Sequence, residues 1–155
     1  MRTASGIFIG LLALLSAACA QDLYQQRTAL MKTHIRNFYH HLRADHVMSA
    51  VVENEKLEGL ASTIGAEIRQ SRDPFAANRV NRDWVQLKAA NQAAADNWLN
   101  LGRYFLHHKR YEEARGAYRR VLNTYHDEDY YRPYVEQAQA GLQDVEMILN
   151  PSRTP

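Results

Sequence analysis

The stretch from Asp96 to Tyr125, DNWLNLGRYFLHHKRYEEARGAYRRVLNTY, constrains the fold of this chain more than any other. It reads as two short helices folded back on one another. Gly102 and Ala114 are small where two helix backbones must approach, and Trp98, Phe105 and Tyr118 are large enough to fill the space around them. Small residues opposite large ones at helical spacing specify a tight hairpin, and predict that Gly102 and Ala114 meet at its crossing.

Trp98, Leu101, Gly102, Phe105, Ala114, Tyr118 and Val121 fall on the W-x2-L-G-x2-Y, A-x3-F pattern, and over about a fifth of the chain the sequence resembles a tetratricopeptide repeat. The resemblance implies a surface that binds proteins or peptides. In that family the first helix of each repeat lines an inner groove, so the residues pointing away from the packing face become the candidates: Leu99, Asn100, Arg103, Leu106 and His107. Asn100, Arg103 and His107 lie three and four apart and form one polar ridge, flanked by Leu99 and Leu106, with Arg103 as its centre. The family usually has Pro near the end of its second helix, where His126 stands here, and no second full repeat is visible. The clamp that some members use for C-terminal carboxylates is therefore not carried over.

The rest of the chain favours helix as well. Gly and Pro are sparse, no phosphate-binding Gly loop is present, and no run of alternating β-branched residues suggests a strand. The predicted fold is all-α: helical hairpins forming a small tetratricopeptide-like right-handed superhelix or bundle, with a capping helix at its end. The expected divisions are 1–18 as a signal peptide, 19–78 as an N-terminal helical hairpin and 79–155 as the repeat region. Within the last, the repeat covers about 95–128 and the cap about 131–149.

Met1 to Ala20 has a single charge at Arg2, an apolar run from Ile7 to Leu15, then small residues leading to Cys19, the only cysteine. The run is too short to cross ~30 Å of hydrocarbon and gives way at once to Gln21 and Asp22, which is the plan of an export signal. Leu15-Ser16-Ala17-Ala18-Cys19 resembles a lipobox, which implies acylation of the Cys19 thiol; plain cleavage after Ala20 fits the small-x-small rule too. With no second thiol, a disulfide role is excluded. Ala20, rather than Asp, follows the cysteine, which in lipoproteins points to the outer membrane. The resemblance thus implies a bacterial lipoprotein anchored there, facing the periplasm.

Leu23, Leu30, Ile35, Phe38 and Leu42 make one stripe of a helix from Asp22 to Ala44, with Arg27, Lys32, Arg36 and Arg43 mostly outside it. Asp45 is placed to cap a second helix, on which Val47, Val51, Leu57, Leu60, Ile64 and Ile68 face inward and Glu53, Glu55, Glu58 and Glu67 outward. Gly59 and Gly65 in its interior predict close helix contact. Pro74 ends it. From Val80 the rhythm Trp84, Leu87, Asn91, Ala94, Trp98, Leu101 runs on without Pro or Gly, so either one helix reaches His108 or a break near Ala95 lets Asp96 cap the repeat. Pro133 suits the first turn of a final helix, Tyr131 to Leu149.

Chemistry is sparse. The seven histidines contain no pair four apart, and there is no His-Glu-x-x-His or cysteine pair, so no metal is expected. No G-x-S-x-G elbow is present, and Glu112-Glu113 and Asp127-Glu128-Asp129 sit in polar, solvated positions. Net charge is +2, and loss of the segment before Cys19 removes only Arg2 and leaves +1; nucleic acid would ask for a strongly basic face. The expectation is a non-enzymatic adaptor with no cofactor, which docks a protein or peptide in envelope assembly, secretion or pilus biogenesis. The alternative is a small periplasmic accessory or ligand-binding domain whose hairpins merely form a bundle.

Overall fold

The computed structural model describes residues 5–71, 77–126 and 129–151, with side chains from Leu23 onward. All regular structure among them is helical: α1 Ser5–Arg43, α2 Val47–Gln70, α3 Ala77–His107, α4 Tyr111–Thr124, a 3-10 turn Asp129–Tyr131, and α5 Arg132–Leu149. The side chain of Cys19 lies outside the described residues. Each helix packs against the next, and α1 with α3 and α3 with α5 also touch. The result is an all-α bundle of two layers, α1, α3 and α5 in one and α2 and α4 in the other.

Two turns set this arrangement, and they are the same turn. At the end of α1 the His46 amide donates to His41 O (2.9 Å) and the Asp45 amide to Leu42 O (3.2 Å); at the end of α3, Arg110 donates to Phe105 O (2.9 Å) and Lys109 to Leu106 O (3.1 Å). Both are Schellman closures with a left-handed residue in the middle, Asp45 and Lys109, each at φ 60°. His46 and Arg110 then become the N-cap residues of α2 and α4, neither using its side chain for the cap. Asp45 is therefore not the cap the sequence suggests: its carboxylate accepts a hydrogen bond from the Tyr104 hydroxyl instead.

Trp98, Phe105 and Tyr118 are buried, as is Ala114. The closest approach to Gly102, however, comes from the Tyr118 ring rather than from Ala114. A Cβ at Gly102 would stand 2.5 Å from Tyr118 Cε1, and one at Gly141 would stand 2.7 Å from both Cε1 and Cε2. Tyr118 thus fills a slot between the backbones of α3 and α5. Gly65 packs as expected, with Leu87 beside it, whereas Gly59 meets nothing within 4 Å and is exposed.

The open question over α3 resolves as one helix of 31 residues. Ala93, Ala94 and Ala95 carry the helix through, and the Asp96 carboxylate turns to Tyr39 and Asn100 rather than to backbone amides. Several polar residues assigned to the wet side are buried. Arg27 is 5 % exposed because Glu67 and Asp83 both pair with it. Glu53 is 8 % exposed, held by His34 (2.7 Å) and Lys56 (2.6 Å). Conversely Leu23, Leu30 and Trp84, all read as inward-facing, are exposed. Between α2 and α3 a buried amide pair fixes the register: Asn97 Nδ2 donates to Asn54 Oδ1 (2.8 Å) and Asn54 Nδ2 to Ala94 O (3.2 Å). A slip of one helix past the other would strand these groups in an apolar layer.

Candidate functional site

The candidate ridge is divided by the structure. Leu99 is fully buried in the core and offers no surface; correcting its place as an apolar flank, it turns inward because α3 is packed by both α2 and α4 along this stretch. Leu106 is half-buried against the same core. Asn100 is half-buried, and Arg103 and His107 are exposed.

Asn100 and Arg103 belong to a hydrogen-bonded chain that crosses three helices. The Tyr39 hydroxyl on α1 donates to Asp96 Oδ2 (2.9 Å), and Asn100 Nδ2 donates to both Tyr39 Oη and Asp96 Oδ2 (3.0 Å each). Arg103 Nη1 donates to Asn100 Oδ1 (3.1 Å) and Nη2 to Gln137 Oε1 on α5 (2.6 Å). Gln137 is itself oriented by donating to Pro133 O (3.0 Å). The layer formed by α1, α3 and α5 therefore presents one braced polar strip.

Charge follows the same line. Burial, then the hydrogen bond to Asp96, pushes the Tyr39 hydroxyl up to about 12, so it stays protonated and a donor. Burial and the Asp96 charge raise Tyr134 on α5 as well. Tyr118 is raised by burial, with the Arg103 charge opposing. Arg103 is the exposed cation at the centre, and a guanidinium carries five N–H donors, so bonds to Asn100 and Gln137 leave others for a carboxylate or a carbonyl. His107 lies one turn further along; its ring stands 5.3 Å from that of His108, which stacks on Tyr104 at 4.1 Å.

Sequence reasoning found Asn100 and Arg103 but missed Tyr39 and Gln137. The i, i+4 relation of Asp96 and Asn100 was readable. Nothing local announced that α1 and α5 would flank α3. No known protein family, no curated protein and no solved structure matches the chain. What the face holds is a set of donors and acceptors in fixed positions. Among the described residues no three His, Cys, Asp or Glu side chains gather as a metal site would, and no helix is long and apolar enough to cross a membrane.

A second polar centre holds the layers together. Glu58 on α2 accepts from Trp98 Nε1 (2.9 Å) and Tyr125 Oη (3.1 Å) through Oε1, and from Arg120 Nη2 (2.8 Å) through Oε2. Burial and the Glu58 charge both raise the Tyr125 hydroxyl. A hollow of about 360 Å³ opens beside it, lined in part by Ala61, Leu87, Asn91 and Arg120.

Proposed function

We propose that the chain is a tetratricopeptide-type interaction module, anchored at the bacterial outer membrane by lipid on Cys19. It presents the α1, α3 and α5 face to a periplasmic protein or peptide in envelope assembly, secretion or pilus biogenesis. The observation that carries this reading is the braced strip from Tyr39 through Asp96, Asn100 and Arg103 to Gln137. An exposed arginine is costly to order on binding; one already held by partners on two helices gives up less side-chain entropy. The shared turns of the two hairpins and the small-against-large packing of Tyr118 support the repeat.

Asn100, Arg103 and His107 are the residues assigned to the partner. Replacing Arg103 and His107 together with Glu should leave helicity intact and abolish partner capture after mild cross-linking in a membrane extract. Recovery of the same partners at the same yield would remove the assignment. The anchor has its own test in the intact mass of the mature chain: an unlipidated N-terminus at Gln21 excludes it.

A further inference from the structure

The end of the bundle from which the N-terminal segment leaves carries exposed apolar residues together with exposed basic ones. Hydrogen bonds from Gln86 Nε2 to Tyr24 O (2.8 Å) and Thr28 Oγ1 (2.9 Å) set the third turn of α3 level with Tyr24 and Thr28 of α1. At that level three large apolar residues are bare: Leu23 is 45 % exposed, Trp84 47 % and Val85 62 %. Around them Arg79, Arg82 and Lys88 are exposed, the last with its ammonium 4.5 Å above the Tyr130 ring. The carboxylates described here, Glu67 and Asp83, share one cation, Arg27, so the three leave one negative charge beside the three exposed basic residues.

We infer that this end is a docking face for an anionic bilayer surface, with Leu23, Trp84 and Val85 entering the headgroup region and Arg79, Arg82 and Lys88 meeting lipid phosphates. The inference rests on the anchor assigned to Cys19. Geometry supplies the reason for choosing lipid over a protein. The α1 backbone is helical without a break from Ser5 to Arg43, so Cys19 and Leu23 are separated by about 6 Å at the helical rise. An acyl chain at Cys19 therefore draws this level of the bundle, which Trp84 and its basic neighbours share through the Gln86 contact, toward the headgroups. An indole is at home there, apolar body inward and N–H toward water, and basic side chains add attraction to anionic lipid. A bundle seated on this end would hold α3 at a set angle and keep the Arg103 strip clear of the membrane, available to a partner.

The test uses the full chain with vesicles of phosphatidylcholine, with and without phosphatidylglycerol, carrying brominated acyl chains. Tryptophan emission is compared with that of Trp84→Phe, in which only the buried Trp98 remains. Flotation with the vesicles together with bromine quenching that needs Trp84, and that grows with phosphatidylglycerol, is the expected result. Arg79→Gln with Arg82→Gln should weaken seating roughly 25-fold, at about fivefold per basic residue, while flotation persists. Flotation without quenching of Trp84 overturns the inference and leaves the anchor standing; absence of flotation overturns both. Equal quenching on phosphatidylcholine alone removes the anionic assignment. A concentration-dependent blue shift of Trp84 without vesicles gives the patch to a second copy of the chain and likewise overturns it.

Discussion

Replacing Gly with Ala at four helical positions should give effects of opposite sign, decided by one ring. In an exposed helix Ala is favoured over Gly by about 1 kcal/mol, because the glycine backbone loses more freedom on folding. Gly59 and Gly116 are exposed, with nothing within 4 Å of an added Cβ, so each substitution should stabilise by roughly that amount. At Gly102 the same methyl would stand 2.5 Å from Tyr118 Cε1, and at Gly141 2.7 Å from two ring carbons, well inside contact distance. The ring cannot retreat from one glycine without pressing on the other helix. Overpacking of this kind costs about 1–3 kcal/mol, and the propensity gain offsets about 1, so a net loss of up to ~2 kcal/mol is expected at each. Urea denaturation followed by circular dichroism measures all four. The decisive comparison removes the ring: in a Tyr118→Ala background, itself costly by about 3–5 kcal/mol, Gly102→Ala should turn stabilising. If Gly102→Ala and Gly141→Ala stabilise as Gly116→Ala does, the slot between α3 and α5 is not where Tyr118 sits.

Lys109, a left-handed residue with a Cβ, should gain up to about 1 kcal/mol on replacement by Gly, seen as a higher urea midpoint with unchanged slope. Burial alone would push the Glu53 carboxyl up, but hydrogen bonds from Lys56 and His34 outweigh it and hold it at about 2, below its ordinary 4.5. The folded value being the lower one, Glu53 stabilises the fold above pH 4.5 and loses that contribution as pH falls from there toward 2. Glu53→Gln should flatten this part of a pH-dependent melting series. Glu58→Ala should cost about 2–4 kcal/mol by stranding the Trp98 and Tyr125 donors, and Glu58→Gln, which keeps an acceptor, should cost visibly less in the same melts.

What the sequence disclosed and what it withheld divide along range. Helix positions, the buried Trp98, Phe105 and Tyr118, and the Pro133 start of α5 follow from local spacing and were legible. Arg27, Glu53 and Glu58 were misplaced because a charged residue is taken as solvated unless its partner is known. Two of these have their partners far off in the chain: Glu67 and Asp83 for Arg27, Trp98 and Tyr125 for Glu58. Burial is affordable only with those partners in place. The strip through Arg103 was half legible for the same reason, since Asp96 and Asn100 are local to it and Tyr39 and Gln137 are not.

The two hairpins close through matching turns although their sequences differ at the crossing. Asp45 and Lys109 stand 64 residues apart (109 less 45), and the same offset pairs the buried Ala50 with Ala114 and Leu57 with Val121. At the crossing, however, the sizes are exchanged. Hairpin α3–α4 sets Gly102 against Tyr118, small on the first helix and large on the second. In hairpin α1–α2 the equivalent positions are Phe38 and Asn54, both fully buried, with the large ring on the first helix and the smaller side chain on the second. Close packing asks only that the two sides fill the space between them, not which side supplies the bulk. A pattern that looks for Gly on one helix and an aromatic on the other will pass over such a hairpin, although its backbone closes through the same hydrogen bonds. Gly141 extends the logic, because α5 meets the far side of Tyr118 with a glycine, as α3 meets the near side. α5 thus packs on the side of Tyr118 opposite α3, and Glu136, Gln139, Gln143 and Asp144 on it are exposed among the described residues.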